Sequence, residues 1–172
     1  NETQPIIADD NSYIRHFFSE KTITVTEEGD QLSAGSLRAQ LIEASHIREQ
    51  DPFVVIKLVF DPTVKKIQLN YGNLPAIQQN LIEIDCGGHV TLDGSQMDPS
   101  FLKESEVGVG FRLASNNNVI RGCRFTGFTG PALVVTGHRN RILENKIGSL
   151  PPEDSNSSKY VVAMPSVEAG FL

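Results

Sequence analysis

Residues of matching kind recur 22 positions apart through the second half of the chain, and that interval constrains the fold more than any other feature. Asn118-Val-Ile-Arg-Gly-Cys-Arg-Phe125 aligns with Asn140-Arg-Ile-Leu-Glu-Asn-Lys-Ile147, so Asn118 falls on Asn140, Ile120 on Ile142 and Phe125 on Ile147. The same interval carries Phe111 to Leu133 and Leu113 to Val135. Such a unit is too short for a helical hairpin and lacks the leucine spacing of a horseshoe repeat. It suits a circuit of short strands whose alternate side chains point inward and stack on their equivalents about 4.8 Å away.

The predicted fold is all-β: a right-handed parallel β-helix, a solenoid of about 22 residues per coil, with one N-terminal capping α-helix. Asn80 and Ile82 precede Asn118 and Ile120 by 38 residues, one coil plus 16 inserted residues, and the polar stretch 95–110 is the natural insertion. Ile67 and Leu69 precede Val90 and Leu92 by 23. The inward set is Ile56, Leu58, Phe60, Ile67, Leu69, Ile82, Ile84, Val90, Leu92, Phe111, Leu113, Ile120, Phe125, Leu133, Val135, Ile142 and Ile147. Asn80, Asn118 and Asn140 fall at one corner, where stacked amides form a ladder.

Ser36 to Ile47 reads as a helix, with Ser36 as N-cap and Leu37, Leu41, Ala44 and Ile47 on one face. Its apolar stripe is placed across the N-terminal end of the stack, covering the first core layer and its strand edges. The chain thus divides into an arm at 1–22, a capping strand and helix at 23–50, coils at 51–150 with the inserted loop at 95–110, and, at 151–172, a loop and the start of a further, uncapped coil. That last end calls for further coils or another protein chain as partner, and a homo-oligomer is one way to supply it.

An apolar fraction of 39% is enough for a core, and a net charge of −6 argues against nucleic acid as the main partner. No apolar run reaches the roughly 18 residues of a membrane span. The chain starts at Asn1 without a signal-peptide pattern, which fits a processed N-terminus as well as a boundary. Cys86 and Cys123 are placed on neighbouring coils facing inward, as free thiols or, with Cα atoms about 5.5 Å apart, as a disulfide.

Ile23-Thr-Val-Thr26, Gly35-Ser-Leu-Arg38 opening a helix, Ile56-Lys-Leu-Val-Phe60, Leu74-Pro-Ala-Ile77 and Val90-Thr-Leu-Asp-Gly94 together resemble the N-terminal cap and first coils of exported bacterial parallel β-helix repeat proteins. The resemblance spans roughly residues 23–150 and implies a secreted or cell-surface location, with adhesin-like and structural roles among the family's members.

Two clusters are candidates for chemistry. Glu83, Asp85 and Asp93 are placed outward, with Arg121 above Glu83. A uronate lyase would use such carboxylates to hold Ca²⁺ and a nearby Arg as base, whereas a surface ion pair explains the same residues without any activity. Arg124 and Lys146 stack one period apart, with Arg121, His138, Arg139 and Arg141 nearby, a patch suited to an acidic glycan or a solvated face. His16, His46, His89 and His138 lack metal or triad spacing. No resident cofactor or metal is expected. The function expected is a structural and binding module outside the cytoplasm that self-associates through its ends, with the lyase as rival. Asn156-Ser157-Ser158 is a glycosylation sequon on a predicted loop.

Overall fold

The computed structural model describes residues 18–148 and the backbone of a strand at 161–163. The arm over residues 1–17 with His16, the loop at 149–158 with its sequon, and residues 164–172 lie outside these residues. The elements are β1 (Ser19–Val25), α1 (Leu37–Gln50), β2 (Val54–Phe60), β3 (Lys66–Gln68), β4 (Ile82–Asp85), β5 (Thr91–Asp93), β6 (Phe111–Leu113), β7 (Val119–Arg121), β8 (Arg124–Thr126), β9 (Leu133–Val135), β10 (Arg141–Leu143), β11 (Lys146–Ile147) and β12 (Val161–Ala163).

The strands form three parallel sheets: A in the order β1-β2-β4-β7-β10, B as β11-β8-β5-β3 and C as β12-β9-β6. From β4 onward the chain visits A, B and C in rotation. This corrects the expected fold class. The strands divide among several parallel sheets, and a 14-residue helix contributes to the core they share, so the arrangement is α/β-like with multiple parallel sheets and not a single all-β solenoid.

The register explains both the legible repeat and its errors. Ile120 pairs with Ile142, Phe125 with Ile147 and Leu113 with Val135, each at 22 residues. Across the insertion, however, Ile84 pairs with Ile120 at 36 residues, not 38, so the circuit holds 14 extra residues where 16 were expected. Ile67 pairs with Leu92 at 25. Asn80 therefore leaves the predicted ladder. Its Oδ1 accepts from the Asn116 N–H at 2.8 Å, and Asn116 Oδ1 from His138 N–H at 2.7 Å. The neighbouring ladder is Ile82 N–H to Asn118 Oδ1 and Asn118 N–H to Asn140 Oδ1, both 3.0 Å. Beside these ladders the chain turns left-handed once per circuit, at Leu81, Asn117 and Arg139, with φ of 61°, 57° and 54°.

Inside, Leu58, Ile84 and Ile120 of sheet A, Ile67, Leu92 and Phe125 of sheet B, and Phe111, Leu113 and Leu133 of sheet C are fully or almost fully buried. Helix α1 starts at Ser36, whose hydroxyl accepts from Ala39 N–H, and it buries Leu37, Leu41 and Ala44 against the core. Arg48, on the same helix, is also buried; its guanidinium donates to the carbonyls of Asn80 and Val54 at 2.8 and 2.6 Å.

The start of the stack is closed by chemistry as well as by shape. β1 begins at Ser19, four residues before the predicted strand, and pairs with β2 over its whole length. On sheet B, the Glu28 carboxylate accepts from the N–H groups of Lys65 and Lys66 at 2.7 and 3.2 Å. Asp30 accepts from those of Asn70 and Tyr71 at 2.7 and 2.9 Å. The backbone donors of Lys66 in β3 and of Lys65, Asn70 and Tyr71 flanking it are thus satisfied by side chains of the segment between β1 and α1, which hinders strand addition there.

Candidate functional site

The predicted carboxylate cluster does not converge. Glu83 and Asp85 lie on β4 in sheet A, while Asp93 lies on β5 in sheet B. Because the inter-circuit offset is 36, Arg121 stands opposite Asp85, and Glu83 is opposite Val119. The Arg121–Glu83 pair is therefore diagonal, with Nη1 3.8 Å from Oε1. Glu83 was expected in solvent but is 7% exposed. Asp85 Oδ1 accepts from Gly87 N–H at 2.9 Å, closing a turn. Asp93 is 7% exposed, takes Ser95 N–H at 2.9 Å and pairs with Lys66 Nζ at 2.6 Å. Burial alone would raise the Asp93 pKa; the bonds from Lys66 and Ser95 outweigh it and hold the carboxyl below its usual range. Each acid thus has a local structural partner. Among the described residues, no three His, Cys, Asp or Glu side chains are grouped so as to hold a metal ion.

The predicted basic patch is split between two sheets. Arg121 and Arg141 belong to sheet A, on strands paired in register through Val119–Arg141 and Arg121–Leu143. Arg124 and Lys146 belong to sheet B, directly opposite one another. His138 and Arg139 lie in the turn from β9 to β10. Only Arg124 and Lys146 are brought side by side as predicted.

Sequence reasoning missed one built feature, the Asp30–Arg38 node. Arg38 Nε and Nη2 reach Asp30 at 2.9 and 3.0 Å, while Nη1 and Nη2 donate to the carbonyls of Asn73 and Gly72 at 2.8 and 3.0 Å. Arg38 was visible only as part of the Gly-Ser-Leu-Arg string, and nothing in its spacing points to Asp30. Of the two expectations for the cysteines the bonded one holds: Cys86 and Cys123 form a disulfide, with Cα atoms 4.9 Å apart. Both cysteines are fully buried. The bond ties the end of β4 to the corner between β7 and β8.

The 14-residue insertion is held down at both ends. Asn73 Oδ1 accepts from Val109 N–H at 2.8 Å, Asn70 O accepts from Asp98 N–H at 3.1 Å, and the Phe101 ring meets Tyr71 edge-on at 5.4 Å. Comparison with protein-family models, with curated proteins and with solved structures finds none that matches the chain.

Proposed function

We propose that this chain is a structural module working at the cell surface or in a secreted assembly, and that it associates through its C-terminal end. The observation that carries this reading is the incomplete cover of the last core layer. At the other end the Glu28 and Asp30 carboxylates take backbone N–H groups at and beside β3, while β1 is itself the terminal strand of sheet A. β10 and β11 are the terminal strands of sheets A and B, and no described residue pairs with their outer edges. Their inward Ile142 and Ile147 are only partly buried against the core. A last apolar layer that stays partly exposed on the terminal strands favours a further parallel strand from a partner chain or a second copy. The buried disulfide favours an oxidising compartment. The acids of the rival lyase reading are each engaged in turns or ion pairs on two different sheets, so nothing favours a catalytic role for them.

The test is sedimentation velocity of the oxidised chain over a wide concentration range, repeated with Ile142→Lys, which places a charge in the exposed apolar layer. Concentration-dependent assembly that the substitution weakens is the expected result. A single monomeric species at every concentration would remove self-association from the reading.

A further inference from the structure

We infer that the outer face of sheet B is a binding surface for an acidic polysaccharide, with Arg124 and Lys146 as its charged contacts. Register places Lys66, Thr91, Arg124 and Lys146 in one row, each directly opposite the next on adjacent parallel strands. The alternate residues Ile67, Leu92 and Phe125 are buried, so the row points outward. Lys66, Arg124 and Lys146 are exposed.

The charges along this row are not balanced. Lys66 is neutralised by Asp93 at 2.6 Å. Arg124 and Lys146 form no ion pair with any described residue, and they face one another across a strand spacing of about 4.8 Å. Like charges directly opposite in a sheet are destabilising. With no ion pair to any described residue, this exposed cation pair is an arrangement that a bound anion relieves. Adjacent carboxylates or sulfates of a linear glycan, about one pyranoside ring apart, match one cation per strand. Two such cations are too few for a nucleic acid, whose binding needs many phosphate contacts at once. This inference rests on the surface or secreted location proposed above and goes beyond it, and it is tested separately from assembly at the strand edges.

The experiment is calorimetric titration of the full chain at low salt with sodium polygalacturonate and with dextran sulfate, with neutral dextran and a single-stranded oligonucleotide as comparators. At least one acidic polysaccharide is expected to bind and raise the Tm. The Arg124→Ala/Lys146→Ala double variant is expected to lose about tenfold or more in affinity while its own Tm stays level or rises, because the repulsion is gone. Sedimentation of the same variant separates this surface from the strand edges, whose backbone groups the substitutions leave in place. Unchanged affinity in the double variant, no binding of either acidic glycan, or preference for the oligonucleotide would each overturn the inference.

Discussion

Asp30 shows how much one side chain can hold. With its side chain 1% exposed, it accepts from Arg38 and from two backbone N–H groups of the first circuit. Replacing it by Ala strands the Arg38 guanidinium beside two unpaired backbone donors, so Asp30→Ala should cost about 3–5 kcal/mol. Urea unfolding checks this; a loss under 1 kcal/mol would mean that water replaces the carboxylate. Gain is expected at Glu144, an exposed residue at φ 55°. Gly adopts the left-handed region without steric cost and already occupies the equivalent position at Gly122, so Glu144→Gly should stabilise by up to about 1 kcal/mol, read as a raised Tm. Neither property was legible in the sequence, because an αL residue that is not Gly carries no local signature and the contacts of Asp30 come from residues 8 to 41 positions away.

At the level of elements, helix α1 was readable because Ser36 and the spacing of Leu37, Leu41 and Ala44 are local signals. The disulfide was readable only as one of two alternatives. Spacing brings Cys86 and Cys123 to neighbouring circuits, but at the true offset Cys86 falls opposite Gly122, one residue short of its partner. Only the corner at Gly122, whose φ is +65°, turns Cys123 inward to meet it. The bond closes a separation of 37 residues, for which chain entropy gives roughly 3–4 kcal/mol of stabilisation. The Cys86→Ala/Cys123→Ala variant should therefore unfold at lower denaturant than the oxidised chain and should no longer respond to reductant. An unshifted midpoint on reducing the native chain would show that packing alone holds the corner.

For the whole molecule, acid is the expected weak point. Hydrogen bonds from the Lys65 and Lys66 N–H groups lower the Glu28 pKa. The Thr63 hydroxyl and N–H do the same for Asp61, Ser100 N–H for Asp98, and Lys103 N–H for Glu106. Folded values below the unfolded ones mean that the unfolded chain binds more protons as the pH falls through about 4. The stabilisation is thus fully present above the unfolded values and is lost as pH drops through the depressed folded ones. A Tm that is level near neutrality and falls below about pH 4 is expected. Glu28→Gln keeps an acceptor for both N–H groups but cannot titrate, so it should flatten part of that acid limb; an unaltered limb would show that the edge cap does not contribute to it.

The sequence by itself determined the periodicity, the inward residues of the uninterrupted circuits and the capping helix, because each depends on side-chain pattern within one strand, one turn or one 22-residue interval. Tertiary structure decided which residues meet across the insertion. A slip from 38 to 36 leaves every side chain on the same face, since strands alternate with a period of two, yet it changes every cross-strand neighbour. That slip moves Arg121 from Glu83 to Asp85 and Asn80 from Asn118 to Asn116. The division into three sheets and the capping of N–H groups at and beside β3 by two carboxylates likewise depend on contacts between distant segments, which no local pattern encodes.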